Sequence, residues 1–285
     1  MFAASLPLPA YFEAANELPV APRLFASLIA MLQDANSGME DVADLIRRDP
    51  VLSSRILRVA NSAAVLGGGA EPVVDLCVAL QRVGFSEAYR LTGFVASQQL
   101  ANSRLGYYGY EAAKLRETVL FEALAAEAID RVAGGDGRLA YTAGLFRNLG
   151  RSVLDIVAGR HVPDIVAFPD SEYEFIESWE REYFGINGAE MSSDVLLEWN
   201  FPAEIADAVL LAGQSKSARL QCPSATVLHL AAAVAVSEGR GLTGEEGLWS
   251  VSPDALAEAN ITEGQFESAG EAARKAFAKW EGNLG

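Results

Sequence analysis

Apolar residues recur at helical spacing along almost the whole chain of 285 residues. In the stretch PRLFASLIAMLQD, for example, Leu24, Leu28, Met31 and Leu32 share one face of a helix. No stretch of useful length alternates apolar and polar residues as a half-buried strand does, and no self-similar period is present. The pattern therefore predicts an all-α, multi-helix globule.

Capping residues predict where two of these helices begin. The stretch SGMEDVADLIRR starts with Ser37 and has Glu40 three residues later, which is the pattern of a capping box. Further along, Asp49 precedes Pro50. We expect Asp49 to cap a new helix and Pro50, which lacks an N–H, to take its first position.

The stretch AGLFRNLGRSVLDIV, residues 143–157, predicts one buried helix with a continuous apolar face. Arg147 and Asn148 nevertheless lie side by side in its middle, and Arg151 follows. A core helix has no packing use for such groups, so this stretch is the first candidate for a functional site.

The net charge of −16, from 22 basic and 38 acidic residues, disfavours nucleic acid as a partner because a polyanion is repelled at long range. One local cluster of arginines could oppose this, but acidic residues accompany it in equal number. The arginines are Arg47, Arg48, Arg55 and Arg58, and the acidic residues are Glu40, Asp41, Asp44 and Asp49. We expect internal ion pairs here rather than phosphate contacts.

Apolar residues make up 51% of the chain, yet none of the apolar runs approaches the roughly 18 residues that span a bilayer. The first residues, MFAASLPLPAYFEAANELP, have no basic region before the apolar ones, so we expect no secretory signal, no membrane partner and a cytoplasmic location. The two cysteines, Cys77 and Cys222, allow neither a disulfide framework nor a metal-binding spacing.

Short motifs in a fixed order resemble the HDOD domain of bacterial signalling proteins. They are Leu18-Pro19, Asp49-Pro50, Ala60-Asn61-Ser62, and the helix end from Ala79-Leu80 to Val83-Gly84. The resemblance implies a segment 1–17, an HDOD domain 18–213 with halves 18–105 and 106–213, and a C-terminal helical extension 214–285 that packs on the core. It also implies an HD-domain/phosphodiesterase-like helical bundle.

HDOD domains are related to the HD phosphohydrolases, whose His and Asp ligands hold divalent metals, but they have generally lost part or all of the ligand set. In this chain the resemblance implies a complete loss. The ligand positions of the relatives correspond here to Glu117, to Arg147-Asn148, to Asn187, to Ala212-Gly213 and to Ala232. The two histidines present, His161 and His229, match none of them, so we expect no metal, no cofactor and no catalytic residue.

The replacements also have a physical consequence for a metal. Arg147 places a fixed positive charge where the cation would lie, and at ~4 Å from a divalent ion the repulsion is about 2 kcal/mol even in water. We expect Glu117 to form a salt bridge with Arg147 instead. The alternative is that the former pocket has become an anion site for a small nucleotide effector, lined by Glu117, Arg147, Asn148, Arg151 and Asn187.

We expect the remaining motif residues to be structural: Asp49, Pro50, Asn61, Ser62 and Gly84. Asn61 and Ser62 are placed to cap a helix end and to bond a turn. The glycines Gly67 to Gly69 have no preceding strand and no following Lys-Ser/Thr, so a flexible loop is expected rather than a phosphate cradle.

These observations predict a non-catalytic bacterial regulatory protein that binds a protein partner or a small effector through grooves between its helices. The alternatives are a sensor that binds a nucleotide or cyclic dinucleotide in the vacated pocket, or a residual metal-dependent phosphohydrolase that uses Asp155, Glu190 or Asp194. Neither histidine has a nucleophile or an orienting carboxylate evident beside it in sequence. The identity of the partner and the oligomeric state are left open.

Overall fold

The structure is a computed structural model that describes residues 7–19, 21–33, 37–62, 71–102, 104–162, 165–168 and 173–281. Within these ranges the regular structure is helical, apart from one isolated antiparallel bridge between Leu105 and Tyr110. The all-α class predicted from the apolar spacing is confirmed. None of the helices in these ranges is both long and apolar enough to cross a membrane.

The described helices follow in this order: α1 (Leu8–Asn16), α2 (Ala21–Gln33), α3 (Met39–Ile46), α4 (Pro50–Ala60), α5 (Leu76–Val83), α6 (Phe85–Leu100), α7 (Ala112–Val132), α8 (Arg138–Phe146), α9 (Leu149–His161), α10 (Ile176–Phe184), α11 (Gly188–Glu198), α12 (Ala203–Leu211), α13 (Lys216–Arg219), α14 (Pro223–Ser237), α15 (Pro253–Glu258) and α16 (Glu263–Glu281).

The chain divides into two compact units. The smaller unit is Pro19–Gln99, and the larger unit combines Met1–Leu18 with Leu100–Gly285. The boundaries predicted in the sequence, 17/18, 105/106 and 213/214, follow the family resemblance rather than compactness, and they stay a prediction.

In the smaller unit, α3, α4 and α5 pack against one another and α2 packs on α3. The core of this unit is closed by fully buried apolar side chains, which include Phe25, Ile46, Ile56, Leu80 and Phe94. Removing such side chains from water is the main stabilising term for a small unit of this kind.

In the larger unit, α7 is the central helix and packs against α8, α14 and α16. Helix α9 packs against α11, and the two approach closely at Gly150, where a Cβ atom would lie 2.2 Å from the carbonyl oxygen of Gly188. A side chain at this position would separate the two helices, so the glycine fixes their contact.

Two helix boundaries differ from the sequence prediction, and the first is the start of α3. The cap is Gly38 rather than Ser37, and the carboxylate of Asp41, not Glu40, accepts the N–H of Gly38 at 2.7 Å. The reciprocal half of a capping box requires an acceptor three residues after the cap. Asp41 meets that requirement for Gly38, which shifts the start of α3 by one residue.

The second correction concerns residues 143–157, which form two helices instead of one. Helix α8 ends at Phe146, Arg147 and Asn148 form the turn, and α9 begins at Leu149. The hydroxyl of Ser192 accepts the N–H of Gly150 at 2.7 Å and lies 2.9 Å from the carbonyl oxygen of Arg147. A side chain of α11 therefore forms hydrogen bonds with backbone groups that the helix break leaves without a partner in their own helix. The local sequence does not reveal this distant partner.

The smaller unit contains the motif residues that we expected to be structural. The Oδ1 atom of Asp49 accepts the N–H groups of Val51 and Leu52 at 2.8 and 3.0 Å. Asn61 at the end of α4 forms two hydrogen bonds with the backbone of Val73, at 2.8 and 2.7 Å. Gly84 ends α5 with φ +85°, a conformation that favours glycine. Ser62 lies in the turn after α4, and Gly67 to Gly69 lie outside the described residues.

We expect Asp49→Ala to lower the free energy of unfolding by about 1 kcal/mol because α4 loses the acceptor for its first free N–H groups. Asp49→Asn keeps a side-chain oxygen and is expected to lose less than half as much. Urea unfolding followed by circular dichroism measures both variants. Equal losses for the two variants would show that the carboxylate charge, rather than the cap, is what matters.

Candidate functional site

The guanidinium of Arg147 is buried within the larger unit, where it contacts two glutamates. Its Nε and Nη2 atoms donate to the carboxylate of Glu122 in α7 at 2.9 and 2.6 Å. Its Nη1 and Nη2 atoms donate to the carboxylate of Glu245 at 2.8 and 2.9 Å. Arg147 therefore holds one carboxylate from a helix and one from the segment that follows α14.

The guanidinium of Arg151, in the first turn of α9, is equally buried. Its Nε atom donates to Glu180 of α10 at 3.0 Å, and its Nη1 atom donates to the side-chain oxygen of Asn148 at 3.0 Å. The same Nη1 atom also donates to Glu245. Glu245 is thus shared by both arginines.

We call Glu122, Arg147, Arg151, Glu180 and Glu245 the buried ion cluster. Its side chains are all less than a tenth exposed. The cluster brings two positive charges and three carboxylates together away from water. Buried charges are tolerated only when they are paired and hydrogen-bonded, as these are.

Trp249 covers one side of the buried ion cluster. Its indole N–H donates to Glu245 at 3.1 Å, and its ring centroid lies 4.9 Å from the Cζ atom of Arg147. The ring thus adds a cation–π contact with the guanidinium to the hydrogen bond with the carboxylate.

The pKa values within the cluster follow from these contacts. Burial by itself would raise the pKa of Glu245, but Arg147 and Arg151 lower it to about 2. For Glu122 burial is the larger effect and raises the pKa in spite of Arg147. Burial by itself would lower the pKa of Arg147, but the neighbouring carboxylates of Glu122 and Glu245 raise it, so its guanidinium stays charged.

The predicted salt bridge between Glu117 and Arg147 is wrong, because Glu117 pairs with Arg240. Glu117 and Glu122 are five residues apart on α7, which corresponds to a rotation of about 140° around the helix axis. The side chain of Glu117 is consequently 37% exposed, whereas that of Glu122 is 1% exposed. Glu122, the partner of Arg147, lies on the buried face of α7, whereas Glu117 lies on a different, partly exposed face.

Asn148 contacts the buried ion cluster through Arg151, whereas Asn187 has a different role. Asn187 caps α11: its side-chain oxygen accepts the N–H of Glu190 at 2.9 Å, and the carboxylate of Glu190 accepts the N–H of Asn187 at 3.0 Å. The Nδ2 atoms of Asn148 and Asn187 are buried and have no hydrogen-bond partner among the described residues. The pocket predicted from the sequence stays a prediction.

The described residues do not fit a divalent metal. They contain no group of three or more His, Cys, Asp or Glu side chains placed to hold a metal ion. Asp155 accepts the N–H of Tyr107 at 2.8 Å, and Glu190 belongs to the cap of α11. The guanidiniums of Arg147 and Arg151 lie among the three carboxylates of the buried ion cluster, whereas a divalent metal requires open carboxylate or imidazole ligands.

Neither histidine belongs to the buried ion cluster, although the ring of His229 packs against that of Trp249 with centroids 5.5 Å apart. His161 is exposed at the end of α9. His229 is buried, with its ring nitrogens 2.9 Å from the carbonyl oxygen of Ala212 and 3.1 Å from that of Ser250. Burial lowers the pKa of His229, so the ring is neutral at pH 7. It is a core histidine with both ring nitrogens in contact with backbone carbonyl oxygens.

Sequence reasoning missed Glu122, Glu180, Glu245 and Trp249. Glu122 had a signal, since it follows VLF and precedes ALAA in an otherwise apolar part of α7. A glutamate flanked in this way has to face a cation if the helix is buried on that side. Glu245 had none, because it lies in a glycine-rich acidic stretch that resembles an exposed loop.

Comparison with known proteins agrees with the fold. The sequence model of the HDOD domain matches residues 18–214, whereas no curated protein matches the chain significantly.

Among solved structures, an HDOD domain protein with unknown function from Geobacter sulfurreducens is 19% identical, covers 98% of this chain and 99% of its own, and superimposes with a TM-score of 0.73. A protein described as a "putative phosphohydrolase" from Shewanella amazonensis is 21% identical over 96% of this chain and 95% of its own, with a TM-score of 0.65. A "putative signal transduction protein" from Marinobacter aquaeolei is 20% identical over 92% of this chain and 59% of its own, with a TM-score of 0.62. These similarities show that the chain has the helical HD-like fold that the sequence predicted.

We expect Arg147→Met to lower the free energy of unfolding by about 3–5 kcal/mol, because Glu122 and Glu245 then lose a shared cation while buried. Glu117→Gln is the matched comparison, since it breaks a partly exposed pair and is expected to cost less than about 1 kcal/mol. Urea unfolding of both variants measures the difference. A larger loss for Glu117→Gln than for Arg147→Met would contradict the observed pairing.

The lowered pKa of Glu245 also predicts a pH dependence. Its ordinary value is 4.5 and its value in the fold is about 2, so the stabilisation is present above pH 4.5 and is lost as the pH falls towards 2. Because the pKa of Glu122 is raised, it contributes a slope of opposite sign. We therefore expect the difference in stability between the wild type and Glu245→Gln to shrink from pH 6 to pH 3, as measured by urea unfolding at each pH. A difference that grows over this range would contradict the assignment.

Proposed function

The chain belongs to the HDOD family, and from that premise we propose that it is a non-catalytic regulatory protein of a signalling pathway that acts by binding another protein. The observation that carries the proposal is the buried ion cluster. At the position where related hydrolases carry a His-Asp pair, this chain has Arg147 and Asn148. The guanidinium is balanced by two buried glutamates of the same chain rather than by a substrate.

The remaining ligand positions support the same proposal. Ala212 and Ala232 are fully buried apolar residues, and Asn187 is engaged in capping α11. Restoring a hydrolytic centre would require several of these positions to become ligands at once, in addition to removal of Arg147.

The names of the similar structures favour two different activities. The Marinobacter aquaeolei protein is described as a signal transduction protein, and the Shewanella amazonensis protein as a phosphohydrolase. We prefer the first because the cluster argues against a metal, and we keep a residual metal-dependent phosphohydrolase as the second candidate.

We expect the purified protein to contain no stoichiometric manganese, iron or nickel and to hydrolyse no generic phosphodiester. Metal analysis by mass spectrometry and a chromogenic phosphodiester assay measure this, with a metal-loaded HD phosphohydrolase as the positive control. Stoichiometric metal together with turnover would reverse the proposal in favour of the second candidate.

The smaller unit is the better place for a protein contact. Residues 19–99 contain seven arginines and eight acidic residues, whereas the rest of the chain contains 15 basic and 30 acidic residues. The smaller unit also exposes large apolar side chains, among them Val74 at 90% and Val78 at 43%. A nearly neutral surface with exposed apolar groups suits protein contact better than a strongly acidic one does.

We therefore expect that capture with the wild-type chain in lysate of the native organism, followed by mass spectrometry, recovers a specific protein that the double variant Val74→Asp/Val78→Asp does not. Leu197→Asp is the matched control, because Leu197 is a similarly exposed apolar residue of the larger unit. Loss of the protein with Leu197→Asp but not with the double variant would place the contact elsewhere.

A further inference from the structure

The carboxylate of Glu245 lies at a point where four N–H donors converge. Two belong to Arg147, one to Arg151 and one to the indole of Trp249. A guanidinium presents several N–H donors in one plane and commonly binds oxyanions, and a neutral N–H such as that of an indole can add a further hydrogen bond. Glu245, which is 0% exposed, therefore occupies a site built for a negatively charged group.

Each of the two arginines also has a carboxylate partner besides Glu245. Arg147 has a bidentate pair with Glu122, and Arg151 has a pair with Glu180. Glu245 is the third carboxylate for two cations. If it left, the cluster would change from an excess of one negative charge to neutrality, so the site could accept another singly charged anion without a further charge penalty.

Glu245 also comes from a different part of the chain than the residues that bind it. It lies in the segment 242–250 between α14 and α15, beyond residue 214, where the match to the HDOD domain ends. The segment carries no helix in the structure. Its backbone is attached at Thr243, whose carbonyl accepts the hydroxyl of Tyr110 at 2.7 Å, and at Gly244, whose carbonyl accepts the N–H of Ile176 at 2.9 Å.

The segment is shaped to insert Glu245. Gly244 has φ +83°, and a Cβ atom there would lie 2.7 Å from the ring of Phe168. A residue with a side chain could not take this conformation without strain. The segment therefore reaches the site through the tight turn at Gly244 and runs out of the site after Trp249.

We propose that this position is an anion site with Glu245 as its built-in occupant, and that withdrawal of the segment 242–250 admits a singly charged oxyanion, a phosphodiester or a carboxylate, in its place. The segment is then an autoinhibitory plug. This goes beyond the proposed function, because it concerns how the larger unit is controlled, and it does not depend on the protein contact of the smaller unit.

The site itself is tested by chemical rescue. Glu245→Ala removes the occupant and leaves the four donors, so we expect propionate and dimethyl phosphate to stabilise this variant against heat while equal concentrations of chloride do not. The Kd for either anion is expected to be at least roughly tenfold lower than in the wild type, in which the tethered carboxylate competes. Comparing propionate with dimethyl phosphate shows which oxyanion the site prefers.

Two control variants make the rescue specific. Glu267→Ala removes one exposed glutamate of α16 and therefore changes the net charge equally, and it is expected to behave as the wild type. Glu245→Ala/Arg151→Met removes one of the two guanidiniums, and it is expected to lose the rescue. If Glu245→Ala is not folded by circular dichroism, Glu245→Ser, whose short side chain also leaves the site empty, takes its place.

Withdrawal of the plug is tested on the wild-type chain by hydrogen exchange with mass spectrometry. At saturating dimethyl phosphate or propionate we expect faster exchange in residues 242–250 than in chloride of equal ionic strength. A folded Glu245→Ala that shows no stabilisation beyond that given by chloride would overturn the anion site. Unchanged exchange in residues 242–250 would overturn the plug. The captures with Val74→Asp/Val78→Asp can succeed or fail independently of either result.

Discussion

The pairing of two buried guanidiniums with three buried glutamates is the constraint on which the larger unit depends. A charge in a protein interior is costly unless a partner of opposite sign is held at hydrogen-bond distance. Arg147 meets this requirement with Glu122 and Glu245, and Arg151 with Glu180 and Glu245. Helices α7, α9 and α10 must therefore keep their relative positions for Arg147 to stay paired with Glu122 and Arg151 with Glu180, and the segment after α14 adds the third carboxylate.

The same cluster decides what chemistry the site can support. An HD-like helical fold ordinarily brings imidazoles and carboxylates to one point, whereas here the turn between α8 and α9 brings a guanidinium. A guanidinium cannot be deprotonated in a protein and cannot ligate a metal. The carboxylates that surround it are already engaged as acceptors of its N–H groups.

Most of the fold was predictable from the sequence. Two of the predictions that failed share one cause, since both depend on contacts between residues far apart along the chain. Apolar spacing predicts helices wherever one face is buried, and Asp49 and Gly84 mark helix ends through their own side chain or conformation. The break at Arg147 and Asn148 could not be predicted, because Ser192 of α11 supplies hydrogen bonds at the turn from 45 residues away. Glu117 was assigned the wrong partner because the position of a residue along α7 does not say which face of that helix meets α8.

The sequence by itself determined the helical class and the family, since both depend on residue types at fixed positions along the chain. Only the tertiary structure decided which carboxylates pair with Arg147 and Arg151. The partners Glu180 and Glu245 lie 29 and 94 residues from Arg151. Residues so far apart in sequence come into contact only when packing brings their helices and segments together. Neither hydrophobic periodicity nor a local motif indicates such a contact.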